Sequence, residues 1–129
     1  MTHSHQFSYT FEVRDYECDL QGIVNNSVYQ NYLEHCRHKF INTINLDFAD
    51  LHSRSIDLVV RSVNLTYKHP LNSGDEFICT LNMQKTDPYK IIFRQNIYRL
   101  PDKKLMLKGE VVAVAVQNGK LIKSEIIFS

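Results

Sequence analysis

Charge of one sign is scarce in this chain of 129 residues: fifteen Lys and Arg stand against fourteen Asp and Glu, a formal net charge of +1. No Lys/Arg-rich run stands out either, so there is neither a global field nor a local basic patch to attract a phosphate backbone. A nucleic-acid partner is not expected. Long apolar runs are also lacking. The stretch "GEVVAVAV" (109–116) falls far short of the ~20 residues a helix needs to cross a bilayer. The start, "MTHSHQFSYT", has no basic segment leading into an apolar one, so no secretory signal is expected. Cysteine is sparse: Cys18, Cys36 and Cys79 are odd in number, widely spaced and without a C-x-x-C pair. That pattern excludes a disulfide framework and fits a reducing compartment, so the expected location is cytoplasmic. No repeat, low-complexity segment or linker divides the chain, and its length suits one domain over residues 1–129.

What is present is a clear change of period. "FSYTFEVR" (7–14) puts Phe7, Tyr9, Phe11 and Val13 on one face and Ser8, Thr10, Glu12 and Arg14 on the other, the pattern of a half-buried strand. After a loop carrying Asp19 and Gly22, Tyr29, Leu33, Cys36, Phe40 and Ile44 recur at helical spacing. Ser27 with Gln30 three residues later reads as a capping box at the helix start. The helical pattern fades near "NLDFAD", and the rest reads as strands: "IDLVVRSVNLTY" (56–67), "FICTLNMQKT", "YKIIFRQNIYRL", "LMLKGEVVAVAVQ" and "LIKSEIIFS". The first of these is apolar on both faces for part of its length, as a strand covered on each side would be. "HPLNSGDE", "DPY", "PDKK" and the Asn-Gly of "QNGK" are the turns. Short turns imply antiparallel neighbours, and one apolar helix face needs one sheet face to bury it. The expected fold is α+β, a curved antiparallel sheet of five to six strands wrapped around one long central helix. Apolar residues on the sheet's other face then need cover, which self-association supplies.

The stretch "DLQGIVNNSVY" (19–29) carries the chemistry. A helix N-terminus presents unpaired N–H groups and partial positive charge, which suits an anion or a carbonyl oxygen about to become one. Asp19 stands just before it. Together they bring close in sequence donors that stabilise an oxyanion and a carboxylate that attacks a carbonyl or deprotonates water. The bland alternative for Asp19 is a loop carboxylate that steadies the helix dipole. The catalytic expectation requires the carboxylate and the helix-start amides to share one small cavity.

The order of elements and the motif residues resemble the hotdog-fold acyl-CoA thioesterases of the 4-hydroxybenzoyl-CoA thioesterase and YbgC-like family. The matching residues are Asp19, Gly22, Ile23, Val24, Tyr29, Glu34 and Arg37, with "NLTYKHPLNSGDEF" similar to the family's second strand and its Gly-Asp turn at Gly74 and Asp75. The chain departs from the YbgC-like branch at Asn25 and Asn26, where that branch carries an aromatic residue and a His. It departs from a second branch, written "HVNN", by holding Ile23 in place of the His. The resemblance implies acyl-CoA hydrolysis with Asp19 as nucleophile or general base and the backbone N–H of Asn26 holding the carbonyl oxygen. It also implies a homo-oligomer, a dimer paired into a homotetramer, and no cofactor or metal beyond the coenzyme A of the substrate.

Other residues admit two readings. Gly22 is a turn residue and also leaves room for close approach of a thioester. Asn25 and Asn26 are N-cap candidates whose side chains would also orient water. Tyr29, Lys68 and Lys90 are candidate substrate contacts, the lysines for CoA phosphates, with His69 and Lys85 nearby in sequence. Glu34 and Arg37, three apart on the helix, are close enough to pair, and Glu34 is the standby carboxylate. His35, Cys36 and His38 cannot converge on zinc because adjacent helical residues point about 100° apart. Neither Cys18 as nucleophile nor a metal site at the "HSH" of residues 3–5 is expected. Two other classes remain open: a non-catalytic acyl-CoA or acyl-carrier binding protein, and an acyl-carrier-protein thioesterase. A hotdog hydratase lacks its Asn-Pro-His segment here.

Overall fold

A computed structural model describes residues 6–44, 46 and 48–128, so the His3 and His5 pair lies outside the described residues. The elements are β1 (Phe7–Glu12), α1 (Val28–Thr43), α2 (Phe48–Ser53), β2 (Ile56–Tyr67), β3 (Glu76–Lys85), β4 (Lys90–Leu100), β5 (Lys104–Gln117) and β6 (Lys120–Ile122). Single 3-10 turns occupy Asp15–Glu17 and Ser124–Ile126. Every strand pairing is antiparallel, in the order β1-β3-β4-β5-β2, with β6 added beside the end of β5. The short helix α2 stands where the sequence pattern faded and only strands were expected beyond it.

Helix α1 buries Tyr29, Tyr32, Leu33, Cys36, Phe40 and Ile41 on the sheet. Its spacing is the expected one, widened by Tyr32 and Ile41. Ile44 follows the last helical residue as the C-cap and is exposed rather than buried. The rings of Tyr32, Phe11 and Phe77 meet beneath the helix, and Phe40 meets Phe7. Gly109 lets the helix come this close: a Cβ there would lie 3.1 Å from Leu33 Cδ1 and 3.2 Å from the Gln95 carbonyl oxygen. The Asn118-Gly119 hairpin forms as the pair predicts, with φ of 51° and 78°, the two left-handed positions of a type I′ turn.

Two expectations need correction. Strand β2 is not covered on both sides; it is an edge strand, exposed along most of its length. Nor is the outer sheet face an apolar surface in want of cover. Its centre is polar, with Arg94 and Glu110 paired at 3.3 Å among Asn64, Thr66, Asn96 and Lys108. Three exposed apolar side chains lie instead on the inner side of β2, with Val59 exposed on its outer side. Val60, Val63 and Tyr67 sit opposite Ala113, Val111 and Leu107, all inward-facing and buried. A register shift between Val60 and Ser62 puts two valines three residues apart on one face, which a regular strand would not do. Tyr67 meets Tyr29 of α1, yet the three remain 45%, 38% and 45% exposed.

Candidate active site

The loop between β1 and α1 is a small hairpin of its own. Asn25 N–H donates to the Glu17 carbonyl at 3.1 Å, Cys18 bridges Val24, and Asp19 N–H donates to the Ile23 carbonyl at 2.9 Å. Its tip is a turn closed by Gly22 N–H on the Asp19 carbonyl at 3.0 Å. Gly22 has φ of 81°, a left-handed conformation that explains the glycine.

The turn at Gly74 and Asp75 holds this hairpin from behind. Val24 N–H donates to the Leu71 carbonyl at 2.9 Å, Ser73 N–H to the Gly22 carbonyl at 3.1 Å, and Ile23 bridges Asn72. Asp75 in turn accepts from the Asn72 N–H at 2.8 Å. The two motif segments, some fifty residues apart in the chain, thus form one structure.

The helix start differs from the capping box expected at Ser27 and Gln30. Ser27 is already helical and its side chain caps nothing. Asn25 is the capping residue: its Oδ1 accepts from Ser27 N–H and Ser27 Oγ, both at 3.0 Å, and its carbonyl accepts from Val28 N–H at 2.9 Å. Between these engaged groups, the Asn26 N–H has no acceptor among the described residues. Asn26 lines a cleft of about 200 Å³ with Ile23, Val24, Tyr29, Tyr67, Lys68, His69 and Pro70.

Several expected residues therefore meet here. Tyr29 is buried, its hydroxyl oxygen accepting from Leu71 N–H at 3.0 Å, so it forms a wall of the cleft. Burial raises its pKa. Lys68 stands at the mouth, exposed. Asp19 is exposed and does not line this cleft, so within the single chain its carboxylate and the helix-start amides do not share one cavity as the catalytic expectation requires; its Oδ1 accepts from Gln21 N–H at 2.8 Å, an Asx turn within its own loop. Lys90 is elsewhere. It pairs with Val114, seven residues along β5 from the Leu107 that faces Tyr67, a separation of roughly 23 Å at the rise of an extended strand.

Glu34 lines a second cleft, also about 200 Å³, with Gln30, Asn31, Leu33, Arg37, Val60, Val63 and Val111. The expected Glu34–Arg37 ion pair is not formed among the described residues. Arg37 Nη1 instead donates to Gln95 Oε1 at 3.0 Å. Burial lowers the Arg37 pKa and the nearby Glu34 charge opposes that shift. Gln95, fully buried on β4, also donates to the Leu33 carbonyl at 2.9 Å and was not foreseen from the sequence. The residues around Cys36 diverge as the helix requires: Cys36 is buried towards Cys79, while His35 lies edge-on to Tyr9 and Phe11. Cys18 is held protonated by burial and by the surrounding carboxylates of Asp15, Asp19 and Glu17, which does not suit a nucleophile.

Comparisons with known proteins agree with this architecture. The family model described as the thioesterase-like superfamily matches residues 13–126. The acyl-acyl carrier protein thioesterase ATL3 of Arabidopsis thaliana, a chloroplastic protein, is 34% identical over 107 residues, covering 83% of this chain and 56% of the relative. The chain thus spans little more than half the length of the plant relatives it matches. Among solved structures, the YbaW probable thioesterase of Escherichia coli superposes with a TM-score of 0.81 at 25% identity, over 92% of this chain and 90% of that one. A 1,4-dihydroxy-2-naphthoyl-CoA thioesterase of Synechocystis superposes with a TM-score of 0.89 at 14% identity, over 95% and 91%, and shows the fold alone. That fold is the hotdog, a curled antiparallel sheet around one helix.

Proposed function

Since the chain belongs to the thioesterase-like superfamily, we propose that it hydrolyses an acyl-CoA to the free acid and coenzyme A. The observation that carries this reading is the unaccepted Asn26 amide, at a helix N-terminus, inside a cleft whose mouth holds Lys68. In the proposed reaction the thioester carbonyl oxygen accepts from that N–H as it becomes an oxyanion. Asp19 either attacks the carbonyl carbon, giving a mixed anhydride that water opens, or takes a proton from the attacking water. In the first route the C–S bond breaks as the anhydride forms, before water opens it, and in the second as the tetrahedral intermediate collapses; in both the departing thiolate takes up a proton. Either role obliges Asp19 to leave the Gln21 N–H when substrate arrives. Lys68 faces the phosphates of coenzyme A, and Glu34 is the carboxylate to test next.

The same proposal includes self-association. Strand β2 is a long open edge whose inner valines lack cover. A second copy joined along β2 would extend the sheet and cover Val60 and Val63, giving a dimer able to pair again into a tetramer. Free thiols suit a reducing compartment such as the cytosol, and no helix among the described residues is long and apolar enough to cross a membrane.

One observation favours a second reading. Asp19 is engaged by its own loop, as in a protein that binds acyl-CoA or an acyl carrier protein without hydrolysis. Thiol release from short, long and aromatic acyl-CoAs, and from an acyl carrier thioester, separates the readings. Asp19→Asn is expected to fold as the parent does and to lose on the order of 10²–10⁴ in kcat. Equal turnover by parent and variant would remove Asp19 from the mechanism; binding without any thiol release would establish the second reading.

A further inference from the structure

The Asn26 N–H belongs to the peptide unit joining Asn25 to Asn26, and the other polar groups of that unit and of the next one are engaged. In the unit joining Asn26 to Ser27, the carbonyl accepts from Tyr67 Oη at 3.3 Å and the N–H donates to Asn25 Oδ1 at 3.0 Å. In the preceding unit, joining Asn25 to Asn26, the carbonyl accepts from Val28 N–H at 2.9 Å. Three of the four backbone groups are therefore held, and the fourth is the N–H of Asn26, a residue that lines the cleft. A peptide unit moves as a plane, so holding these edges fixes the direction of the remaining donor.

We propose that Tyr67 is a positioning residue for the Asn26 amide, clamping from β2 the peptide that Asn25 clamps from the loop. The proposal rests on the reading of Asn26 as oxyanion donor. Tyr67 is well placed to act as a fixed point. It ends β2 opposite Leu107, and its ring lies edge-on to the Tyr29 ring at a centroid distance of 5.5 Å. Tyr29 is itself buried and anchored by the Leu71 amide. The helix start is thereby tied to the sheet through a hydroxyl rather than left to its loop. At 3.3 Å the bond is long for an O–H donor, so the hydroxyl is one of several groups that hold this segment. A donor whose direction is set before substrate arrives needs no reorganisation during the reaction, which is where such groups gain their effect.

Two measurements test the clamp, and the first needs no turnover. In Tyr67→Phe the ring and its packing on Tyr29 remain and only the hydroxyl is lost. Amide relaxation at Asn26, followed by NMR, is expected to move from the rigid order parameter of about 0.85 towards about 0.6. An Asn26 amide as rigid in the variant as in the parent overturns the proposal, whatever the protein hydrolyses. The second is steady-state thiol release. Tyr67→Phe is expected to lower kcat roughly tenfold, less than the 10²–10³ lost with an oxyanion donor itself, while KM stays within about twofold. Unchanged kcat overturns it, and so does a raised KM at constant kcat, which would make Tyr67 a substrate contact. Asn25→Ala, which opens the other jaw, is expected to match Tyr67→Phe, and Asn25→Asp, which keeps an acceptor, to recover most of the loss. A parent that releases no thiol while the relaxation result holds would refute the hydrolytic reading and leave the clamp standing.

Discussion

Replacing Gly109 by alanine sets two known effects against each other, and the geometry decides which wins. The new Cβ would lie 3.1 Å from Leu33 Cδ1, 3.1 Å from Leu65 Cδ2 and 3.2 Å from the Gln95 carbonyl oxygen. Favourable carbon–carbon contacts begin at about 3.5 Å, so both leucines must give way by at least ~0.4 Å. Leu33 is almost wholly buried, and the Gln95 backbone is held in the sheet opposite Gly109. Only Leu65, half-buried on the edge strand, has somewhere to go. Overpacking of this kind costs about 1–3 kcal/mol. Against it, a glycine-to-alanine change gains about 0.4–1 kcal/mol by restricting the unfolded chain. The net expectation is a loss of about 0–2.6 kcal/mol, roughly 1.3 kcal/mol at mid-range or about 4–6 °C in Tm for a domain of this size. Urea and thermal unfolding by circular dichroism, at fixed protomer concentration, measure it. Adding Leu65→Ala makes room for the methyl, so the pair should be more stable than the sum of the single changes by at least about 0.5 kcal/mol. A Gly109→Ala variant more stable than the parent, or a strictly additive pair, would refute the close approach of helix and sheet.

Three further outcomes are expected. Gln95→Leu removes the acceptor of Arg37 and the donor to Leu33 together, and should cost roughly 2–3 kcal/mol in urea unfolding; a neutral change would mean that neither bond persists in solution. Val63→Asp puts a carboxylate on the uncovered inner side of β2, and should shift sedimentation velocity from dimer or tetramer towards monomer, whereas an unchanged distribution would place the interface elsewhere. His35 has a lowered pKa, first through burial against Tyr9 and Phe11 and then through Lys39, His38 and Arg14. The folded protein therefore takes up the proton less readily than the unfolded chain, so stability is full above the ordinary value near 6.5 and declines as pH falls through the depressed one. His35→Gln should flatten that decline in Tm between pH 7 and pH 5, and identical pH profiles would refute the shift.

The fold was legible because its signals are local. Alternation in Phe7–Val13, the helical spacing of Tyr29, Leu33, Cys36 and Phe40, and the Asn118-Gly119 turn each depend on residues a few positions apart. The misreading of β2 has the opposite cause. A strand apolar on both faces looks the same whether a neighbour within the chain covers it or none does, and the register shift after Val60 is invisible to an alternation count. Ile44 was assigned to the buried face because periodicity carries on past a helix end, whereas burial stops with the last turn.

The site was only half legible, for a physical reason that bears on its chemistry. Asp19, Gly22 and Asn26 are read from one short segment, but what fixes them comes from far along the chain: Leu71 and Ser73 behind the hairpin, Tyr67 on the helix start. Tyr67 offered one signal, its place at the end of a strand just before the His-Pro turn, and periodicity gives that place no direction. Asp19 shows the limit from the other side. Its carboxylate answers the Gln21 N–H two residues on, and no other side-chain or backbone donor among the described residues engages it. An exposed hydrogen bond of this sort is weak enough for a thioester or its attacking water to displace. The Asn26 N–H needs no such exchange: the peptide units on both sides of this residue are held, and no acceptor among the described residues takes this donor. In the proposed enzyme the two halves of the site thus differ in kind: a donor fixed beforehand by the fold, and a carboxylate recruited by the substrate.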